Sequence, residues 1–432
     1  MANRPRGTRD FAPDEMAGRT WAAGRVRDVF RRFGYHEVQT PTFEELELFT
    51  AKSGEGIISE LYDFTDKGGR RMTLRPELTA PTMRMYFQDH AFDPKPIKWF
   101  YHGPCFRYDR PQEGRYREFW QFGCEQVGAG TPLAYAELIA LGAGLFEELG
   151  LKGVEIRVGH VGLLRRELEK IGVTGEHQAA VLRGLDKDDA EGIRAAFQNS
   201  GVYDIPGGDA RAKRFMAATL ADDVGALQDV LGDEDELYQE IQELFDNLSA
   251  LGVKPNLYLK VARGLDYYTG VVFEFHCKEL EAQSQLLGGG GYDLSHVFGG
   301  QPTPTMGFGM GFDRTLVALQ KQGLDLPKAA GPVAYFGALS DAARTWVLQT
   351  VARLRRDGVA VDVDLLGRKP GQVAKAADAA GARFLVIVGD RDLEAGVVQA
   401  KRLDTGEAGD VEVDGLVAYL QAAADSPHAN AR

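Results

Sequence analysis

The stretch Phe106–Glu125, FRYDRPQEGRYREFWQFGCE, constrains this chain more than any other. Apolar and polar residues alternate along its second half, and Pro111, Gln112, Glu113 and Gly114 punctuate its middle. That pattern predicts a hairpin with arms Cys105–Asp109 and Phe119–Val127. Successive side chains on a strand point to opposite faces, so Gln121, Gly123 and Glu125 should share one face and Trp120, Phe122 and Cys124 the other. Arg107 and Asp109 should alternate likewise on the first arm. One face suits a core; the other offers an amide, a gap and a carboxylate. Arg107, Arg110, Arg115 and Arg117 beside acidic groups suit a polyphosphate and a small polar or cationic substrate. An ordinary solvated antiparallel hairpin accounts for the stretch equally well.

A chain of 432 residues exceeds what one hydrophobic core serves, so two to four domains are expected. No apolar run approaches the roughly 18 residues that a membrane span needs. The start, MANRPRGTRDF, is basic but has no apolar segment behind it, so it does not read as a secretory signal. Cytoplasmic residence is therefore expected. The three cysteines, Cys105, Cys124 and Cys277, include no CxxC pair, which fits a reducing compartment and argues against zinc. Cys105 and Cys124 flank Gly114 almost symmetrically, which would set them face to face across the hairpin as reduced core thiols. A net charge of −13 argues against a simple electrostatic DNA binder but leaves open RNA bound through a local basic face.

Along the chain, residues 14–33 read as an amphipathic helix ended by Gly34, and Tyr35–Thr40 as a strand before Pro41. Residues 61–75 predict two strands around Lys67-Gly68-Gly69. RPELT, Arg75–Thr79, then leads into a helix to about Gln88. A helix is expected over Pro132–Leu149 and a strand over Val154–Val158. Residues 162–252 turn acidic and helical, with no motif that carries chemistry; they read as an inserted helical domain or as an extension of the core. Leu257–Val261 and Val271–His276 are strand-like and bracket ARGLDYYTG, 262–270. Ala330-Gly331-Pro332 reads as a linker, after which strands and helices alternate as in a small α/β domain. The tail 422–432 should be disordered.

The remaining motifs are weaker singly. The four glycines 288–291 are no phosphate loop, because no Gly-Lys-Ser/Thr follows; they suit close backbone approach to a ligand or to another strand. Asp313-Arg314 opens a helix just after alternate glycines in MGFGMGFDR. A carboxylate there suits the helix dipole and an arginine does not, which hints at an anionic or π-faced ligand; a solvated arginine fits as well. Tyr267 and Tyr268 would face opposite sides of a strand, as core and rim or as one ligand contact.

Taken in order, these motifs resemble histidyl-tRNA synthetases, a family of class II aminoacyl-tRNA synthetases. RGTRDF (6–11) resembles the family's N-terminal signature, Gly34–Pro41 its dimer-forming first motif, and FRYDRPQEGRYREFWQ its second. RGLDYYTG resembles the histidine-specific motif and GFGMGFDR the third. The last hundred residues are similar to its anticodon-binding domain. Residues 162–252 match by position only. Asp109 and Asp313 stand where the family usually has glutamate, Gly291 where it has arginine, Leu294 where it has glycine, and Leu78 where many bacterial members have glycine. These departures bear on how ATP is seated.

The resemblance implies an α+β fold: a class II antiparallel sheet flanked by helices (1–161 and 253–328), a helical insertion (162–252), and an α/β anticodon-binding domain (331–421). It implies a homodimer that joins L-histidine to tRNA(His) using ATP and Mg2+, with no membrane or DNA partner. Arg107 would hold the α-phosphate and Arg263 would bridge it to the histidine carboxylate. Arg314 and Arg115 would hold the adenine and triphosphate. Glu77, Thr79 and Gln121 would take the α-amino group, and Glu125, Tyr268 and Tyr267 the imidazole. The metal ligands are unknown. Lys369, Lys375, Lys401 and Arg402 are candidate anticodon contacts as basic groups alone. A catalytically silent histidine-sensing paralogue is the alternative; such relatives lack RGLDYYTG and the C-terminal domain, and this chain carries both.

Overall fold

The computed structural model describes residues 3–53, 55–221, 223–261 and 268–425. Contacts divide the chain into two units, Met1–Pro327 and Lys328–Arg432.

The first unit is built on an eight-stranded sheet: β1 His36–Glu37, β2 Ile97–Phe106, β3 Glu118–Val127, β4 Val154–His160, β5 Asn256–Leu257, β6 Tyr268–Cys277, β7 Gln285–Tyr292 and β8 Thr305–Gly311. Its order is β1-β2-β3-β8-β7-β6-β4-β5, antiparallel throughout its centre, with parallel pairs at the two edges. One face is covered by the helices Pro13–Arg32, Pro132–Glu148 and Phe312–Lys321. They bury Val26, Phe30, Leu138, Leu145 and Leu319 against Phe122, Cys124, Phe273, Phe275 and Phe308. The helix Pro13–Arg32 forms for local reasons as well: Pro13 at its first position, Asp14 and Glu15 in the first turn, Arg31 and Arg32 in the last. Gly34, at φ 78°, takes the left-handed turn that ends it.

Several elements are shorter or displaced from their expected bounds. Within Tyr35–Thr40 only His36–Glu37 forms strand, because β1 lies at the sheet edge and Pro41 follows. Within Leu257–Val261 the ladder stops at Leu257, and Val261 donates back to the Tyr258 carbonyl in a turn. The hairpin arms begin earlier than expected, at Ile97, and Arg107 and Asp109 lie beyond the first arm rather than on it. Register also corrects the cysteines. Cys124 pairs with Phe100 and Cys105 with Phe119, so the two thiols lie on opposite faces. All three cysteines are free.

A second core within the first unit joins helices between Val161 and Ala250, packing Leu164, Leu168, Val181, Phe197, Phe215 and Ile241 together with Leu257 and Leu259. The second unit has its own five-stranded sheet: Val361–Val363, Ala334–Ala338 and Phe384–Val388 run parallel, then Val397–Arg402 and Ala408–Glu412 antiparallel. Phe336, Val347, Val351, Val386 and Leu420 fill its core.

Candidate active site

The other face of the large sheet has a bare centre. Register aligns Tyr101, Gly123, Gly309, Gly288 and Glu274 in one row across five strands. The next row runs Trp99, Glu125, Gly307, Gly290 and Val272. Glycine within a strand costs about 0.5–1 kcal/mol relative to alanine. Gly123, Gly288, Gly290, Gly307 and Gly309 together therefore make a costly patch that only a need for open or close-packed space explains. Three of them admit neighbours: a Cβ at Gly307 would collide with the Glu125 carboxylate, one at Gly123 would lie 2.5 Å from the Tyr101 ring, and one at Gly290 would lie 2.9 Å from Val272 Cγ1 and 3.0 Å from the Tyr268 ring. The gap expected at Gly123 is thus filled by Tyr101. Gly309 is different, because its Cβ would meet nothing nearer than Gln121 Nε2 at 4.0 Å. Gly291 faces the opposite side, where the Tyr135 hydroxyl occupies the space a side chain would need.

At one end of this floor lies Glu125, 1% exposed. Tyr101 donates to its Oε1 at 2.7 Å and Tyr292 donates to its Oε2. Because Tyr101 gives its proton to Glu125, Thr79 is the donor in the 3.2 Å bond between their hydroxyls. Burial, then the Glu125 charge, hold the Tyr101 phenol well above its ordinary range, so it stays a donor. Tyr268 stands edge-on to Tyr292, ring centres 6.5 Å apart. Glu77 caps the following helix, accepting from the backbone N–H of Thr79 at 2.6 Å and of Ala80 at 3.1 Å. Gln121 accepts from Cys105 Sγ at 3.4 Å.

At the other end are arginines. Arg107, just past β2, donates from Nε to the Pro76 carbonyl at 3.0 Å. Arg314 donates to the carbonyls of Gly114, 3.0 Å, and Gln285, 3.1 Å, tying the hairpin tip to β7. Arg115 grips Asp109 with two bonds of 3.0 and 2.9 Å. The tip turns at Gly114, φ 73°, between reciprocal backbone bonds of Gln112 and Arg115. Four residues of strand separate Gln121 from Glu125, about 13 Å at the usual rise. The face thus offers a cationic end, an uncluttered middle and a carboxylate ringed by hydroxyls.

The structure therefore brings together Glu77, Thr79, Arg107, Arg115, Gln121, Glu125, Tyr268 and Arg314. Arg263 and Tyr267 lie outside the described residues. Sequence reasoning passed over Tyr101 and Tyr292, although alternation from Gly123 and Glu125 across the hairpin points at the first. It also gave no role to Arg9 and Arg19. Asp313, 3% exposed, accepts from Arg19 Nη1 at 2.6 Å and from the Trp120 N–H at 2.6 Å, and Arg9 Nη2 lies 2.6 Å from the same carboxylate. Arg117 meanwhile donates its backbone N–H to the Gly7 carbonyl at 2.9 Å. RGTRDF and GFDR, some 300 residues apart in sequence, are thus one junction at the hairpin base. In the second unit Lys369, Lys375 and Lys401 are exposed, whereas Arg402 is paired with Asp404 at 2.6 Å.

The chain's relatives agree with this geometry. Residues 7–315 match the family model described as histidyl-tRNA synthetase, and residues 335–423 match the anticodon binding domain. A histidine–tRNA ligase of Methanosphaerula palustris is 42% identical over 96% of this chain and 97% of its own length. One of Archaeoglobus fulgidus is 42% identical over 97% of this chain and 99% of its own. Among solved structures, apo histidyl-tRNA synthetase of S. aureus superposes with a TM-score of 0.73 at 27% identity, covering 97% of this chain and 100% of that one. The match over nearly the whole length means that this chain belongs to the histidyl-tRNA synthetase family.

Proposed function

We propose that the chain is a histidine–tRNA ligase: it condenses histidine with ATP to histidyl-adenylate, releasing pyrophosphate, and passes the histidyl group to the 3′ end of tRNA(His). The observation that carries this is the glycine floor, with Glu125 and its two phenol donors at one end and Arg107, Arg115 and Arg314 at the other. The attacking group is the substrate's own carboxylate, and the electrophile is the α-phosphorus. The protein therefore supplies alignment and charge stabilisation rather than a nucleophile of its own.

In this reading the imidazole lies over the Glu125 end, its ring N–H given to the carboxylate and its other nitrogen to Tyr268, with Tyr267 a further candidate. Glu77, Thr79 and Gln121 accept from the α-ammonium. Arg107 holds the α-phosphate and Arg263 spans that phosphate and the histidine carboxylate. Arg314 stacks on adenine. Arg115 reaches the triphosphate by sharing or leaving Asp109, whose shorter arm compared with glutamate draws that guanidinium back toward the loop. Magnesium, bound with the phosphates, would supply neutralisation of their charge. Among the described residues no three His, Cys, Asp or Glu side chains cluster to cage an ion. Glu274, closing the floor row, is the carboxylate that would share it with phosphate oxygens.

A pocket built around imidazole hydrogen bonds rejects analogues lacking them by about 10⁴–10⁵-fold, which removes the need for editing. The second unit would read the anticodon. Dimerisation is supported by the edge position of β1 and by Phe43 and Phe64, 54% and 43% exposed and paired with each other on a separate three-stranded sheet. Cytoplasmic residence accords with the described helices, none of which is long and apolar enough to cross a membrane. Histidine-dependent ATP–pyrophosphate exchange, followed by charging of tRNA(His) transcripts with and without an extra 5′ guanosine, tests the proposal. Exchange with no charging would indicate loss of the RNA partner; neither activity would favour a histidine sensor.

A further inference from the structure

Tyr268 begins β6 at the point where the ladder is least regular. The register between β6 and β7 shifts between Gly290 and Tyr292, just where Tyr268 pairs with Tyr292. A bulge interrupts ladder bonding, so the strand alone does not fix this end. The helical cluster supplies what the ladder lacks. Arg165, on the helix Val161–Lys170, donates from Nη1 to the Tyr268 carbonyl at 3.0 Å. The same helix approaches closely: a Cβ at Gly162 would stand 2.8 Å from the Thr269 carbonyl oxygen. Val161 packs in one cluster with Tyr268 and Tyr292. Upstream, Leu257 and Leu259 are buried in the helical core, and Lys260 Nζ meets Asp188 at 3.0 Å.

We infer that the helical cluster sets the position of the imidazole-binding end, and that Arg165 is a positioning residue acting through the Tyr268 backbone. This rests on the reading of the Glu125 end as the histidine pocket. A guanidinium on a carbonyl is a charge-assisted bond, stronger than the neutral ladder bond it replaces. Its direction fixes where the Tyr268 ring stands against Tyr292, and so how far a bound imidazole lies from both Tyr268 and Glu125. The pyrophosphate end, held by Arg107 and Arg314 on other elements, is independent of it.

Full-length Arg165→Ala should weaken histidine binding about tenfold by isothermal titration and raise KM for histidine in pyrophosphate exchange by the same factor, the size of one lost charge-assisted bond. KM for ATP and the melting midpoint should stay within twofold and about two degrees. Arg165→Lys, which keeps a donor, should recover most of the histidine affinity. Asp188→Gly tests the other tether at an exposed site, since glycine suits the left-handed backbone there (φ 51°) and removes the carboxylate; a smaller rise confined to histidine is expected. Unchanged histidine affinity in Arg165→Ala and Asp188→Gly, with exchange intact in the unsubstituted protein, would overturn the inference. So would KM values for histidine and ATP rising together with a lowered melting midpoint, the sign of a merely structural role. Absence of histidine-dependent exchange in the unsubstituted protein would instead overturn the reading of the pocket itself.

Discussion

Asp313 occupies a nearly dry position where two guanidiniums and a backbone N–H address its carboxylate. Arg9 and Arg19 in turn stack on Tyr116 and Phe11, at 3.5 and 4.1 Å. Removing one partner of a buried charge cluster strands the others, at a cost of about 3–5 kcal/mol. Asp313→Ala should lose about that much stability in urea denaturation, and a loss below about 1 kcal/mol would contradict the junction. The phenols on Glu125 make a different kind of contribution. Tyr101→Phe or Tyr292→Phe keeps the ring and deletes one donor to a charged acceptor, worth about 1.5–3 kcal/mol. Each should lower kcat/KM for histidine roughly 10- to 100-fold while leaving KM for ATP unchanged in the exchange assay. Cys105 reports burial directly. Burial pushes its thiol up from 9.0 to about 12, against the pull of Arg107 and Arg75. Between those two values the unfolded chain releases a proton that the native one keeps, so this contribution to stability is whole below pH 9 and fades as pH rises toward 12. Iodoacetamide at pH 9, with peptide mapping, should label Cys105 in urea and leave it untouched in the native protein.

At the scale of elements, the central strands are organised around what they leave out. Glycine alternates along β8 because the floor face must stay low, while Phe308, Met306 and Met310 on the opposite face fill the core. Gly309 is the telling position, open to a methyl group in the unliganded protein. Gly309→Ala should fold with an unchanged or slightly raised melting midpoint, since the strand loses less entropy. Yet it should reduce pyrophosphate exchange at least about tenfold, because the added methyl stands where substrate must lie. Normal exchange by this variant would mean that the floor is not the site. Gly291 illustrates the opposite use: Tyr135 claims its space, so this position has no room for the arginine common in the family.

The whole molecule has two units with separate cores, the first matching the histidyl-tRNA synthetase family and the second the anticodon binding domain, so chemistry and RNA recognition should separate between them. A chain ended after Pro327 keeps the entire floor and both of its ends. It should retain histidine-dependent pyrophosphate exchange within about threefold and lose charging of tRNA(His) transcripts by at least about 100-fold; equal charging by the two forms would remove the second unit from RNA recognition. The arginines proposed to hold the nucleotide, Arg107, Arg115 and Arg314, lie toward one end of the central strands, so a total charge of −13 is compatible with a local cationic cluster.

Local order made much of this legible in advance. Gly34, Pro13 and the 3.6-residue pattern delimit the first helix whatever it packs against, and period-two alternation sorted Gln121, Gly123 and Glu125 from Phe122 and Cys124, as the sheet does. The strand–helix alternation after Pro332 likewise reads straight off the chain, because each element there pairs with near neighbours. Register was not legible: one shifted residue separates facing cysteines from cysteines on opposite faces, and nothing local fixes that shift. Nor were the long-range partnerships. Tyr292 joins Tyr101 on Glu125, and Arg9 and Arg19 meet on Asp313, because strands and helices distant in sequence come together in the folded sheet. The sequence by itself determined which residues carry charge, bend or bare backbone; only the tertiary structure decided which of them touch, since a hydrogen bond depends on distance and sequence separation carries none.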